Sequence, residues 1–566
     1  KLEVGGTLHL AGTVTANSAQ AYNTGSGGSV WITAHTLEGD GTVSAIGAGQ
    51  HRPGGGGRIA ILYTNSTFTG DVEIEGRHST NYGNIAQPGT LWEPKRFDAV
   101  QGAPGAPADV AIDTSYQYHF PDSRTNYWNL SVTNAARVYF HGATIKIGDL
   151  EVTGIGDTRN NLSVLRGDVG EAGAWAQTGR VAIEITNSIA LDNGGELYLS
   201  DTTITDPSLT INDHSRLQVT LDTVMPNTWN GGSLGLTDSS VLYLVPQTFS
   251  FDALDVPAGS TVVPLGDPTK INADAGGSVG DPYGSGVVVR CQSATIDGTI
   301  NGTGRGFGYR AGPGSKSGGW YGASHGGKGV SGPATYGSLT RPGELGSGGA
   351  SGSSSYGGGA IKIEAAGGLS LNGTIEVEAR SDRNEGSAGS IWLVCGELSG
   401  SGTNNATSDA SDRPGGGGRI AIECSTYSFT GANMVAGGTG GNGTSETGTV
   451  FYCETPVPGG DGIILDTAYT NDSNNVKIER TISKWSTGGP TLEWTDTSTR
   501  IQGAALPNTA TYTLRGLDPD LGYNVYDDDV KISTWTLAGD TMTIPDITVS
   551  HTITVTGPQG TMFMIY

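Results

Sequence analysis

Charged side chains are scarce in this 566-residue chain: Asp, Glu, Lys and Arg together make up 15%. That excludes a coiled coil or a charged disordered tail, both of which need far more charge. Positive charge is the scarcer sign, with 31 Lys and Arg against 55 Asp and Glu, a formal net charge of −24. This balance opposes nucleic-acid binding, which needs clustered cations, and docking on an anionic membrane. Four cysteines are too few for a disulfide framework. No run of about 18 apolar residues occurs, so no membrane insertion is expected. Capped segments of 3.6-residue periodicity are missing, which leaves strands as the expected element. The chain opens at Lys1 with neither Met nor a signal peptide, which reads as a processed or excised product.

Glycine is what abounds, with 93 residues. Gly and Pro together reach about a fifth of the chain, just under the range of aperiodic low-complexity sequences. The chain is instead periodic. Arg52-Pro53-Gly54-Gly55-Gly56-Gly57-Arg58-Ile59-Ala60-Ile61 recurs as Arg413 to Ile422, an offset of 361 residues. At that offset residues 1–70 align with 362–431 without a gap, and about 31 of the 70 positions are identical. Ten consecutive identities mark a duplication. Arg52, Arg58, Arg413 and Arg419 flank the tetraglycine turns in both copies, which favours a structural role. Trp31 and Trp392 correspond and are read the same way, as are Glu3 and Glu364.

A shorter period lies within the second copy. The strand-like runs end at Ala365, Cys395, Cys424 and Cys453, a step of roughly 29 residues each time. Each alternates in apolar character, as a half-buried strand does. A short strand recurring at such a step predicts a parallel β-helix, whose successive coils stack at about 4.8 Å. Cys395, Cys424 and Cys453 are expected on one inward ladder, as buried thiols first and as a disulfide between neighbouring coils second. Between the copies, Glu196–Leu199, Arg216–Val219 and Val241–Leu244 follow Asp- and Asn-containing turns and predict shorter coils.

The Gly-rich texture ends near residue 460, after a hinge-like Pro456, Pro458, Gly459 and Gly460. Tyr512-Thr513-Leu514-Arg515-Gly516-Leu517-Asp518-Pro519, followed by Tyr523-Asn524-Val525-Tyr526, resembles the signature of fibronectin type III and related β-sandwich modules. The resemblance implies a tyrosine corner at Tyr523. The expected fold is therefore all-β: a parallel β-helix with a duplicated Gly-rich repeat, plus a C-terminal β-sandwich. The expected domains are 1–94 (first copy), 95–290 (shorter coils), 291–455 (second copy) and 460–566 (β-sandwich).

The local anomaly is the insertion 302–359, cationic and aromatic on an acidic chain. Its Tyr309, Arg310, Trp320, Tyr321, His325, Lys328 and Tyr336 combine ring faces with donors, as sugar rings and carboxylates require. The same side chains can equally pin a long Gly-rich loop to the solenoid. As a uronate lyase site, the loop would supply Tyr309, Arg310, His325 and Lys328 as base and cations. A G-x-S-x-G match at 322–326 and a near P-loop at 322–328 lack their structural context and are discounted. Asp518, Asp520, Asp527, Asp528 and Asp529 offer oxygen ligands for Ca²⁺ but no EF-hand spacing, so no cofactor is required.

The motifs at 302–309, 325–329, 336–342, 345–349, 357–363, 390–393 and 415–422 together resemble Gly-rich β-helical repeat regions of very large secreted or cell-surface bacterial proteins. That resemblance implies an extracellular scaffold and no shared catalytic residues. The first expectation is a structural or adhesive extracellular protein. Its first repeat begins without a cap, which reads either as a fragment of a longer array or as an end covered by another subunit, the second giving assembly with itself head-to-tail into a filament. The alternatives are a polysaccharide lyase or glycoside hydrolase, or a non-catalytic glycan-binding protein, acting through loop 302–359.

Overall fold

The structure, a computed structural model, describes residues 1–19, 25–48, 54–74, 76, 89–93, 108–113, 117–119, 126–133, 137–139, 145–154, 164–166, 183–199, 202–237, 239–269, 283–350, 355–380, 384–409, 412–453, 463–470, 476–486, 491–500 and 509–557. Arg52 and the hinge at 456–460 lie outside the described residues. The chain is all-β: the regular elements among the described residues are strands, and no helix is long and apolar enough to cross a membrane. It divides into two compact units, Lys1–Gly231 with Leu236–Tyr243, and Gly232–Gly235 with Leu244–Tyr566. The break falls inside the 95–290 stretch.

The first unit is built from parallel ladders. Leu2–His9, Ser29–Gly39 and Arg58–Phe68 pair in that order, with Leu2 opposite Ile32 and Val30 opposite Ile59. Alternation buries one set of side chains, including Ile32, Ala34, Ile59 and Ile61. The three shorter runs pair as the sequence predicts: Leu197 lies opposite Leu217, and Leu217 opposite Leu242. A second parallel sheet joins Ala108–Asp113, Asn126–Thr133, Ile145–Thr153 and Ile183–Asp192.

In the second unit Val287–Cys291, Ala360–Leu371, Ser390–Ser399, Arg419–Tyr427 and Thr449–Cys453 form one parallel ladder, which Val476–Ser486 extends. Ile361, Ile391, Ile420 and Val450 stand in one row, so the step from Ile420 to Val450 is longer by one than the step before it. Ile363, Leu393 and Ile422 fill the next inward row and are buried.

Two expectations are corrected here. The strands are not half-buried, because Trp392, Ala421 and Phe451 on the second face pack against Leu465, Ile478 and Trp494. The cysteine ladder also differs. Cys395 stands opposite Cys424, and Cys291 precedes them in the row, opposite Ala365. Cys453 stands opposite Glu423 instead. A slip of one position moves a side chain to the other face of a sheet, so Cys453 shares the face of Phe451 and joins the second cluster. All four cysteines are buried free thiols.

Beyond residue 460 pairing turns antiparallel, apart from the parallel contact of Val476–Ser486 with Thr449–Cys453. Thr491–Arg500 lies between Val476–Ser486 and Thr552–Thr556, while Thr509–Arg515 lies between Ile464–Thr470 and Thr541–Thr548. Both groups contribute to one core around Trp494, Tyr512, Leu514, Val525, Ile544 and Val555. Tyr523 is buried, and its hydroxyl donates to the Asp518 carbonyl at 3.0 Å. Arg480 is sealed in the same region. It makes a two-pronged pair with Asp496 at 2.7 and 2.8 Å and donates to the Thr467 hydroxyl at 2.7 Å.

Glycines form the corner before each strand of the duplicated repeat. A Cβ on Gly389 would strike the Gly359 carbonyl, one on Gly418 that of Gly389, and one on Gly448 that of Gly418. Each of those carbonyls already accepts the amide of the strand residue that follows, as Gly389 accepts from Arg419 at 3.0 Å. There is no space for a methyl, although the backbone angles would allow one. Gly418→Ala is expected to lower unfolding stability by about 1–3 kcal/mol. Gly368→Ala, where a Cβ meets open space, should be near neutral; denaturant melts of the two variants make the comparison. Removing a carboxylate from a buried pair strands the partner charge, so Asp496→Ala should cost about 3–5 kcal/mol in the same assay.

Candidate functional site

The loop residues singled out by composition do not converge. Tyr309 and Trp320 are 45% and 62% exposed, and Lys328 is exposed. Tyr321 and His325 are fully buried. Arg310 donates to the Gly319 carbonyl at 3.1 Å, holding its own turn. The Tyr321 hydroxyl accepts the Lys316 amide at 2.7 Å. His325 Nδ1 donates to the Ala388 carbonyl at 2.8 Å, and its ring lies 4.7 Å from that of Tyr336. Burial, reinforced by nearby Arg419, drives the His325 pKa down to about 3. A neutral imidazole sealed from solvent cannot exchange protons with a bound sugar. These side chains pin the loop.

Arg419 is the centre of that pinning. It is buried, and its Nε and Nη2 donate to the Tyr336 carbonyl at 3.0 and 2.8 Å, with Nη1 donating to the Thr449 hydroxyl at 2.9 Å. It therefore ties down the inserted loop. Its counterpart Arg58 is exposed, and Arg413 donates to Asn384 Oδ1 at 3.3 Å. Glu344 is buried nearby and accepts the Ser338 and Gly343 amides at 2.9 and 3.0 Å. Burial raises its carboxyl to about 7 against the pull of those amides and of Arg419.

A different set of residues lines a cleft of about 920 Å³ in the second unit. Its floor is the outward face of the parallel ladder. One row runs Arg290, Glu364, Val394, Glu423, Cys453 and Arg480, each opposite the next. The adjacent row runs Lys362, Trp392, Ala421 and Phe451. Thr340 and Arg341, from the inserted loop, and Ile463 and Leu465 form its walls.

The charges in the cleft are arranged in order. Glu364 receives Arg290 Nε at 2.6 Å and also pairs with Lys362. The Lys362 ammonium sits 3.7 Å from the Trp392 ring centroid. Burial alone would raise the Glu364 pKa, but Lys362 and Arg290 outweigh it and hold the carboxyl below its ordinary value. Glu423 accepts the Trp392 indole N–H at 2.9 Å. There burial prevails over that bond and over Arg341, and the carboxyl is raised. Arg341 stacks over Trp392 at 5.2 Å, and among the described residues no carboxylate lies within ion-pair distance of its guanidinium. Arg480, by contrast, is already held by Asp496.

The first copy holds half of this arrangement. Lys1 pairs with Glu3 at 2.6 Å and lies 4.7 Å from the ring centroid of Trp31, as Lys362 does with Glu364 and Trp392. The position of Glu423 is Leu62, and Trp31 is 46% exposed. The sequence pattern left Lys362, Glu423 and Arg290 unmarked and gave Glu364, with Glu3, a structural reading. The available signal was Glu423 itself, an acid in an otherwise apolar strand where the first copy has Leu. Of the five C-terminal Asp residues, Asp527 and Asp528 approach His551 Nδ1 at 2.9 and 3.8 Å. Asp528 Oδ1 already accepts the Thr552 amide.

No protein-family model matches this chain, and the searches of curated proteins and solved structures give no match.

The Glu344 carboxyl binds its proton more tightly in the folded chain than its ordinary value of 4.5 allows in the unfolded one. Its contribution to stability is therefore present at low pH and is lost as pH rises from about 4.5 to about 7. Relative to Glu344→Gln, the parent's melting temperature should fall over that window and run parallel above it, as thermal unfolding across pH would report.

Proposed function

We propose that this chain is an extracellular adhesive protein that holds an acidic polysaccharide in the Trp392 cleft. The scaffold in this reading is a parallel β-helix carrying a C-terminal β-sandwich. Support for the helix comes from the parallel registers that recur at a nearly constant step, from Ile361 through Ile391 and Ile420 to Val450. Support for the sandwich comes from two antiparallel groups sharing one core. The resemblance of the Gly-rich motifs to secreted and cell-surface repeat regions supports the location.

The observation that carries the ligand class is Arg341. A guanidinium stacked on an indole, with no carboxylate in ion-pair distance among the described residues, sits in a cleft that also holds Arg290 and Lys362. On a chain of net charge −24, this is a localised attractor for anions. The cations supply charge-assisted donors, with Arg341 and Lys362 held on the buried Trp392 ring, an arrangement that suits the carboxylates of a uronic acid polymer. The parallel ladder gives the cleft an extended floor along its rows, which fits a polymer better than a single sugar.

Calorimetric titration of the full chain with polygalacturonate, alginate and neutral dextran tests this. Saturable binding to a uronate polymer is expected, weakening with salt, with none to dextran. Arg341→Ala should weaken it about tenfold or more, the value of one hydrogen bond to a charged group. Equal binding to dextran, or no response to Arg341→Ala, would remove the cleft from consideration.

A further inference from the structure

The two carboxyls of the cleft suggest more than binding. Glu364, Val394 and Glu423 occupy one row on three successive strands, so the two glutamates point to the same side of the sheet. Two strand spacings place their backbones about 9.6 Å apart. Trp392 stands between them in the adjacent row. Each carboxyl has its own environment. Glu364 is bracketed by the cations Arg290 and Lys362. Glu423 is buried and accepts one indole N–H through Oε1, and among the described residues nothing hydrogen-bonds its other oxygen.

We infer that Glu364 and Glu423 form a general base and general acid that hydrolyse the polysaccharide bound in this cleft, with inversion at the anomeric carbon. The inference rests on the binding reading above. Paired carboxyls on opposite sides of a glycosidic bond divide the work by environment. The cations beside Glu364 favour its ionised form, and the burial of Glu423 favours its protonated form. A separation of about 6.5–9.5 Å between carboxyls leaves room for the water of an inverting reaction, whereas about 5 Å is needed for a covalent intermediate. Two strand spacings between the backbones of the pair lie nearer the wider class than the closer one.

The step balances without any further reactant. A water beside Glu364 attacks the anomeric carbon from the face opposite the leaving oxygen and gives its proton to the Glu364 carboxylate. The bond from the anomeric carbon to the leaving oxygen breaks, and that oxygen takes the proton of Glu423. The products are two shorter chains, one with a new reducing end of inverted configuration. Exchange of one proton through solvent, from Glu364 back to Glu423, restores the pair. Trp392 acts as a positioning residue, since its N–H orients Glu423.

The experiment incubates the full chain with each polysaccharide that it binds by calorimetry. It follows reducing ends, the anomer first formed by proton NMR, and the ultraviolet absorbance of unsaturated products. New reducing ends of inverted configuration, without unsaturated products, are expected. Glu364→Gln and Glu423→Gln should each lower the rate by about 100-fold or more. Thermal unfolding of each variant separates lost chemistry from lost folding. Azide should restore turnover to Glu364→Gln, where it replaces the activated water, and not to Glu423→Gln. The pH profile should fall on the acid side as Glu364 protonates and on the alkaline side as Glu423 ionises. Binding without new reducing ends overturns the hydrolase and leaves the binding reading standing, whereas no binding at all removes both. Unsaturated products, a retained anomer, or variants as fast as the parent would each overturn the assignment.

Discussion

Backbone stacked on backbone at the glycine corners is the constraint on which the duplicated repeat depends. At Gly389, Gly418 and Gly448 the chain of one repeat lies directly on a carbonyl of the repeat before it. That contact closes the spacing to the strand separation and delivers the next amide to the carbonyl it must bond. The first copy repeats it, with Gly57 against the Gly28 carbonyl and Gly89 against that of Gly57. Much of the glycine content is thus explained by proximity rather than by unusual backbone angles. With the corners locked, the registers of Ile361, Ile391 and Ile420 follow, and their row and the row of Ile363, Leu393 and Ile422 are buried.

Once the rows are in register, any side chain on the outward face acquires neighbours about 4.8 Å away on either side. This converts residues far apart in sequence, Arg290, Glu364, Glu423 and Arg480, into one line of charge. The duplication gave both copies the Lys, Glu and Trp of that face, at 1, 3 and 31 and at 362, 364 and 392. In the second copy the face becomes a cleft. There the loop at 339–341 and the segment around Leu465 cover Trp392, leaving it 3% exposed against 46% for Trp31. The cover lowers local polarity, which raises the pKa of Glu423, while Lys362 and Arg290 hold that of Glu364 below its ordinary value.

The inserted loop shows how composition can point to the right segment for the wrong reason. Its aromatic and cationic residues stand out in sequence, yet Tyr321, His325 and Arg310 spend their polar groups on the loop's own backbone or on the adjoining repeat. What the loop brings to the cleft is Arg341, with Leu339 against Trp392. Composition cannot separate these roles, because a long Gly-rich segment satisfies its backbone with whatever donors are at hand. The cysteines illustrate a similar limit. Cys395 and Cys424 meet as periodicity requires, but the longer step that follows sends Cys453 to the opposite face.

The sequence by itself determined the all-β character, the parallel ladders of the duplicated repeat and the strand runs on which they rest. These follow from local pattern: apolar alternation, glycine at fixed phase, and two copies that cross-check each other. The tertiary structure alone decided which face each outward residue shares, which arginine of a duplicated pair is buried, and which acids meet. Those outcomes depend on register to the single residue and on what covers a face, and both are set by contacts between segments that the sequence does not place side by side.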